Sequence, residues 1–308
     1  MGVTKRFMGE LGKNGSVYLM FVPVGLLLLV FNYMPMAGLV IAFKDFNFTQ
    51  GIFGSNWANP IFSNFKFLLN SEYAIRALRN TILLNLLFIF TGLIFEVGLA
   101  LLLNEIRNRA FKKVAQSVTF LPYFISWIVV GVFTYNLLTD VGAVNSLIRF
   151  FGFEEVDFFN KAGLWPAILV LIMRWKITGY GSVIYLAALT GIDSSYYEAA
   201  SIDGANRWQQ IRYISLPMLK PTVIILTLLA IGRIMNADFG MFYAVIGDAS
   251  TLYPTTDVID TFVYRGLRVN GDIGMSSAAG FLQSIGAFVL VLGSNLIARR
   301  IDKDSALF

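Results

Sequence analysis

EAASIDGANRWQQIRYISLPMLKP, residues Glu198 to Pro221, is a polar insert between two strongly apolar stretches. Ser195 and Glu198 have the S-x-x-E spacing of a capping box, and Ala199, Ala200 and Ile202 continue a helix. Gly204 breaks it. A second run from Ala205 to Ile214 places Trp208, Ile211 and Ile214 or Ser215 at three- to four-residue spacing, and Leu216-Pro217 is expected to stop it before the next apolar segment. The expected product is a helix-turn-helix knob held close to a membrane surface, over about 190–220.

The flanking composition makes this a membrane protein. The chain has 308 residues, is 56% hydrophobic and 14% charged, with a mean hydropathy of +0.67, outside the range of a soluble globular domain. Cysteine and histidine are absent, which excludes disulfides, thiol chemistry, histidine metal sites and imidazole proton relays. A net charge of +5 is explained by the sidedness of loops, and no basic run interleaved with aromatics points to nucleic acid.

A span needs about 20 largely apolar residues to cross roughly 30 Å of hydrocarbon. Six segments qualify, at 17–42, 80–103, 115–138, 164–189, 218–237 and 277–298, giving an all-α polytopic fold in one membrane domain over 1–308. Pro23 and Pro35 are expected to bend the first, which is read as an uncleaved span because no A-x-A site follows it. Lys5, Arg6, Lys13, Arg107, Arg109, Lys112, Lys113, Arg207, Arg212, Lys220, Arg299, Arg300 and Lys303 fall on one side, with both termini and the knob. The positive-inside rule makes that side cytoplasmic. Asn47 to Asn64, rich in Gly, Ser, Asn and Pro, reads as an extended external loop.

The insert resembles the EAA loop of binding-protein-dependent ABC importer permeases: Glu198, Ala199, Ala200, Gly204, Ile214, Leu216 and Pro217 match its pattern. Asp203 and Ala205 extend the likeness to the maltose-type carbohydrate-uptake branch, and Ile211 stands where that branch often has Phe. Arg79-Asn80-Thr81, Leu121-Pro122, and Gly142 with Asn145 resemble further motifs of the branch; Tyr253 to Arg265 resembles a narrower polysaccharide-type group. This resemblance implies a bacterial plasma-membrane subunit that imports oligosaccharides, including uronate-containing ones. It implies as partners a second homologous permease, two ATPase subunits and an extracytoplasmic sugar-binding protein. Glu198, Ala199, Ala200, Asp203, Gly204, Ala205, Ile211, Leu216 and Pro217 would then be the residues that couple to an ATPase. No G-x-x-x-x-G-K-[ST] phosphate loop is present; no cofactor is expected on this chain, and ATP with its magnesium would sit on the partner subunits. Neither enzymatic nor metal chemistry is expected of the chain itself.

Charges inside spans cost about 2.5–3.5 kcal/mol on insertion scales and usually face a cavity or a partner. Arg174 and Lys176 lie in the fourth span, Arg233 in the outer half of the fifth and Glu96 in the second, a surplus of positive charge. Two readings stand side by side. Either Arg174, Trp175, Tyr180, Tyr185, Arg233 and Asn236 line a pathway for an anionic or hydrogen-bonding solute, or Arg174 pairs with Glu96 or caps a broken helix while the aromatics pack. The stretch Tyr253 to Arg265 either faces a binding protein or packs on the outer surface. The rival functions are an ion-coupled secondary transporter, which would need acidic residues or helix breaks at mid-membrane, and a non-transporting scaffold or sensor.

Overall fold

A computed structural model describes residues 14–301; Lys5, Arg6, Lys13 and Lys303, which entered the sidedness argument, lie outside the described residues. Among those described, six helical segments are long and apolar enough to cross a membrane: Gly15–Phe43, Glu72–Glu105, Trp127–Phe150, Ala162–Thr190, Arg207–Gly232 and Ile273–Ile297. The helices used below are α1 (Gly15–Leu28), α2 (Ser63–Asn70), α3 (Glu72–Glu105), α4 (Arg109–Phe120), α5 (Trp127–Leu138), α6 (Ala143–Phe150), α7 (Trp165–Thr190), α8 (Ser194–Ile202), α9 (Leu216–Gly232), α10 (Phe239–Val245), α11 (Ile259–Arg268) and α12 (Ile273–Ile301). The described residues divide between two compact units, Met1–Leu68 with Gly266–Phe281, and Leu69–Arg265 with Leu282–Phe308.

In the first unit, α1 buries no residue and continues helically past Pro23 and Pro35, through a π-turn at Leu29–Tyr33 and a 3₁₀ stretch at Ala37–Phe43. The segment after it is not the extended loop that its turn-forming residues suggest. Strands β1 (Lys44–Asp45) and β2 (Asn56–Trp57) pair antiparallel. The buried Lys44 ammonium donates to the carbonyls of Phe53 and Ser55, each at 3.0 Å, and lies 5.2 Å from the centre of the Trp57 ring. These bonds fold the loop onto its own cation.

In the second unit the long helices α3 and α7 run parallel, as spans two and four of an alternating bundle must. Leu84 and Phe88 of α3 share one core with Trp165 and Leu169 of α7; Val97, Ala100 and Leu103 share the other with Tyr185, Leu186 and Leu189. Helix α9 runs the opposite way, with Leu219 in the second core and Ile234, just past its end, accepting from Asn85 Nδ2 at 2.8 Å.

The third span is not continuous, as its apolar run over 115–138 implied. It breaks into α4, a 3₁₀ turn at Leu121–Phe124, and α5. Pro122 has no N–H to offer a helix, and Ser126 N-caps α5 by accepting from Val129 N at 3.4 Å. The fifth segment departs in the other sense. Leu216-Pro217 does not stop it: helix runs from Arg207 to Gly232, with a π-turn at Ile211–Ser215 that admits Pro217 in the first turn of α9.

Helix α4 packs on α7 at Gly179, where an added Cβ would stand 1.9 Å from the Thr119 carbonyl oxygen. Backbone meets backbone there, so neither side can turn away. Gly179→Val is expected to separate the helices and lower the stability of the detergent-solubilised chain by about 1–3 kcal/mol or more, read as a lower thermal unfolding midpoint; an unchanged midpoint would contradict this packing.

Candidate functional site: the knob and the intramembrane charges

The knob is built from two caps. Asp193, not the Ser195–Glu198 pair, caps α8: its carboxylate accepts from Ser195 N at 2.9 Å. Hydrogen bonding from Ser195, its backbone N–H first, holds the Asp193 carboxyl below its ordinary range. The capping-box expectation fails because Asp193, two residues earlier, already supplies the acceptor that the first turn needs. Glu198 is exposed and makes no side-chain hydrogen bond or ion pair among the described residues.

Helix α8 ends in a Schellman motif: Ala205 N donates to Ala200 O at 2.8 Å and Gly204 N to Ser201 O at 3.2 Å. Gly204 sits at φ +79°, a conformation that glycine adopts without strain. A true capping box follows one turn later, where Asn206 Oδ1 accepts from Gln209 N at 2.9 Å and Gln209 Oε1 from Asn206 N at 2.7 Å. Its N-x-x-Q spacing was readable in the sequence. The two arms are tied together by the buried Gln210, whose Nε2 donates to Ser201 Oγ at 2.8 Å, and by a 2.9 Å bond between Tyr197 and Ser215 hydroxyls.

What the knob leaves outside is informative. Ile202 is 87% exposed and Trp208 68% exposed, so Trp208 does not pack inside the knob as its spacing implied. Ala199, Asp203, Gly204, Leu216 and Pro217 are exposed, and Ala200, Ala205 and Ile211 half-buried. The knob's interior is polar and its surface carries apolar side chains, which is the pattern of a docking element. Arg207 Nη1 lies 3.9 Å from Glu105 Oε2, which puts the knob at the C-terminal end of α3.

Inside the bundle, Arg174 turns toward α3 and Lys176, two residues on, toward the break in the third span. Arg174 Nη1 meets Glu96 Oε1 at 3.0 Å, with side-chain exposures of 7% and 18%. Gly181 makes room, since an added Cβ there would stand 2.3 Å from the Glu96 carboxyl. The Lys176 ammonium, 5% exposed, donates to the carbonyls of Pro122 (3.3 Å), Tyr123 (2.8 Å) and Ile125. It lies 5.1 Å from the centre of the Trp127 ring, and Trp127 Nε1 donates to Asp238 Oδ2 at 2.8 Å. One cation therefore satisfies the backbone that the broken helix leaves unpaired.

The proposed pathway residues do not form one surface. Tyr185 is buried against Val97, Ala100 and Leu103 in the second core, a correction to its role as a stacking platform. Tyr180 stacks on Tyr123 at 4.2 Å and is half-exposed, as is Trp175. Arg233 is not inside the fifth span: α9 ends at Gly232, and Arg233 and Asn236 lie exposed in the turn beyond it. That turn ends the helix early because Asn85 Nδ2 takes the carbonyls of Ile234 and Asn236, and the Asp260 carboxylate accepts from Ala237 N at 2.8 Å. Burial pushes the Asp260 carboxyl up, against the opposing pull of that N–H. The Arg233 guanidinium has no hydrogen bond or ion pair among the described residues.

The recurrent short motifs are staples. Asn80 Nδ2 donates to Pro254 O at 3.2 Å, Thr81 Oγ1 accepts from Ile259 N at 2.8 Å, and Asp257 pairs with Arg265 at 2.6 Å. The stretch from Tyr253 to Arg265 thus packs on α3. Asn145, fully buried, accepts from Val156 N at 2.8 Å and donates to Thr139 O at 3.2 Å, closing the loop after α6.

Residues 89–303 match the family described as "Binding-protein-dependent transport system inner membrane component". Protein LplB of Bacillus subtilis (strain 168) is 35% identical over 303 residues, covering 97% of this chain and 93% of LplB. The polygalacturonan/rhamnogalacturonan transport system permease protein YteP of the same strain is 34% identical over 301 residues, covering 97% of this chain and 92% of YteP. Among solved structures, a chain of a bacterial ABC transporter involved in the import of the acidic polysaccharide alginate superposes with a TM-score of 0.86 at 32% identity, covering 96% of this chain and 99% of that one. A chain of the bacterial alginate transporter in complex with an alginate pentasaccharide-bound periplasmic protein gives 0.87 at 32% identity, covering 97% and 99%.

The buried pair sets a test of its own. Arg174→Met leaves Glu96 uncompensated and is expected to destabilise the chain by about 3 kcal/mol, the lower end of the range for breaking such pairs because Glu96 keeps some solvent contact. Glu96→Gln with Arg174→Met should be markedly less harmful than Arg174→Met alone in thermal unfolding. Additive losses would mean that the two side chains do not depend on each other.

Proposed function

The chain belongs to the family of binding-protein-dependent transport system inner membrane components, and on that premise we propose that it is one of two membrane-spanning subunits of an ATP-driven oligosaccharide importer, with acidic sugars among its cargo. It supplies half of the pathway and one coupling knob. A second homologous permease completes the membrane domain, two ATPase subunits hold ATP and magnesium, and an extracytoplasmic binding protein delivers the sugar. Both termini and the knob face the cytoplasm.

The observation that carries this reading is the knob's construction. Its apolar tips, Ile202 and Trp208, are turned outward, and its second arm is continuous with the helix that runs to Gly232. A cleft that grips the knob pulls on α9 through continuous helix, since Pro217 does not interrupt the chain's helical run. Glu198, exposed and without a side-chain partner among the described residues, is free to meet a charge on the ATPase.

The acidic cargo is supported by that of the relatives, polygalacturonan/rhamnogalacturonan for YteP and alginate for the solved transporter, and by Arg233. Arg174 is already paired, so Arg233 is the cation of that set left to meet a carboxylate. An ion-coupled transporter gains no support here, since Glu96 is held by Arg174 and the carbonyls at the break in the third span are taken by Lys176.

In the reconstituted complex, Gly204→Asp places a side chain at a left-handed position inside the gripped turn and is expected to abolish solute-stimulated ATP hydrolysis while the chain still inserts. Unchanged stimulation would sink the coupling role. In the same preparation Arg233→Gln should lower uptake of a uronate oligomer roughly tenfold, the equivalent of one charge-assisted hydrogen bond, and leave a neutral oligomer of equal length little affected. Equal losses would remove the acidic preference.

A further inference from the structure

Arg174 holds Glu96 through Nη1, at 3.0 Å. Its Nε is buried and has no hydrogen-bond partner among the described residues. One helical turn on, Thr178 Oγ1 is likewise buried and unpartnered. Other hydroxyls in these spans behave differently. Thr81, Thr91, Thr119 and Thr134 each turn the hydroxyl back on the helix and donate to the carbonyl four residues earlier, at 2.6–2.9 Å. Thr178 makes no such bond to the Arg174 carbonyl.

The two atoms share one face of α7. Arg174, Thr178, Gly181 and Tyr185 follow one another at steps of four and three residues, which makes them a single stripe along the helix. Three members of the stripe meet α3: Arg174 at Glu96, Gly181 under the Glu96 carboxyl, and Tyr185 against Val97 and Ala100. Thr178 stands between the first two, on the side of α7 that faces Glu96. Glycines keep other side chains away. A Cβ on Gly92 would stand 2.6 Å from Arg174 Nη1 and one on Gly181 2.3 Å from the Glu96 carboxyl, so the space between the helices is left to the pair and to Thr178. Glu96 Oε2 makes no hydrogen bond among the described residues.

A buried N–H and a buried hydroxyl without partners are costly inside a membrane, and no protein group meets either. The chemistry of the three atoms selects what would. The guanidinium repels a cation and the carboxylate repels an anion, which leaves a small neutral molecule able both to accept and to donate. We infer that this is an internal water site, in which one water accepts from Arg174 Nε and bonds Thr178 Oγ1 and Glu96 Oε2. Three hydrogen bonds are the usual complement of a buried water. Thr178 is then a positioning residue for the Arg174–Glu96 pair, and the contact between α3 and α7 is hydrated at its charged centre. The inference does not need the transport reading.

A map of the full-length chain that resolves ordered water should show density within hydrogen-bond distance of both Arg174 Nε and Thr178 Oγ1, and should lose it in Thr178→Val. A wild-type map without that density, or with the Thr178 hydroxyl turned back to the Arg174 carbonyl, overturns the inference. Thermal unfolding reads the same site by its sign. Valine replaces the hydroxyl by a methyl group of nearly the same shape, so removing a hydroxyl that truly lacks a partner would raise the midpoint. With water bound, Thr178→Val is expected to lower it by about 2–4 °C, the equivalent of one net hydrogen bond. An unchanged or raised midpoint contradicts the site. In a chain that already carries Arg174→Met and Glu96→Gln, where the Nε donor and the carboxylate are gone, Thr178→Val should no longer lower the midpoint. An equal loss in both backgrounds assigns the effect to packing and removes the water.

Discussion

A carbonyl without a donor in hydrocarbon costs several kcal/mol, and the break in the third span leaves those of Tyr123 and Ile125 without a backbone partner. Lys176 meets both, and the Pro122 carbonyl beside them. Much of the second unit depends on that grip. It fixes where α5 starts, sets the Trp127 ring against the cation, and so aims the Trp127 N–H at Asp238, the cap of α10. Helices α5 and α10 then meet in the first core through Val130, Met241 and Val245. A lysine that looks expensive in a span is the reason that the span can be broken at all.

The spans themselves were legible because apolar length is a property of the chain alone. Their interruptions were not. Leu121-Pro122 announced an irregularity, yet whether Pro breaks a helix depends on what satisfies the freed carbonyls, and Lys176 is 54 residues from Pro122. The same dipeptide at Leu216-Pro217 breaks nothing, because a π-turn widens the helix ahead of it. Glu96 and Arg174 were readable as an alternative pair from charge economy. Arg233 was misplaced because apolar sequence continues past the helix end, and only Asn85 and Asp260, far away in the chain, show why the helix stops at Gly232.

The knob teaches the complementary lesson. Its turn was legible in Gly204, a local conformational requirement, and its first cap was misassigned because Asp193 competes with Ser195 for the same N-terminal donors. Spacing implied that Trp208 packs inward, but spacing specifies a face and not what lies opposite it. Here Gln210 and Ser201 fill the interior with a hydrogen bond, and Trp208 is left to a partner. With helix continuous from that surface to Gly232, the contact chemistry at one end stands on the same span that leads to the exposed Arg233 in the turn beyond it.

Everything attributed to the knob requires it to face the cytoplasm, and the cysteine-free chain allows that to be measured directly. Asn206→Cys, in the exposed capping box, should resist an impermeant thiol reagent in intact cells and react once the membrane is opened, while Asn160→Cys should react from outside. Labelling of the Asn206→Cys chain in intact cells would invert the topology and detach the knob from any cytoplasmic ATPase.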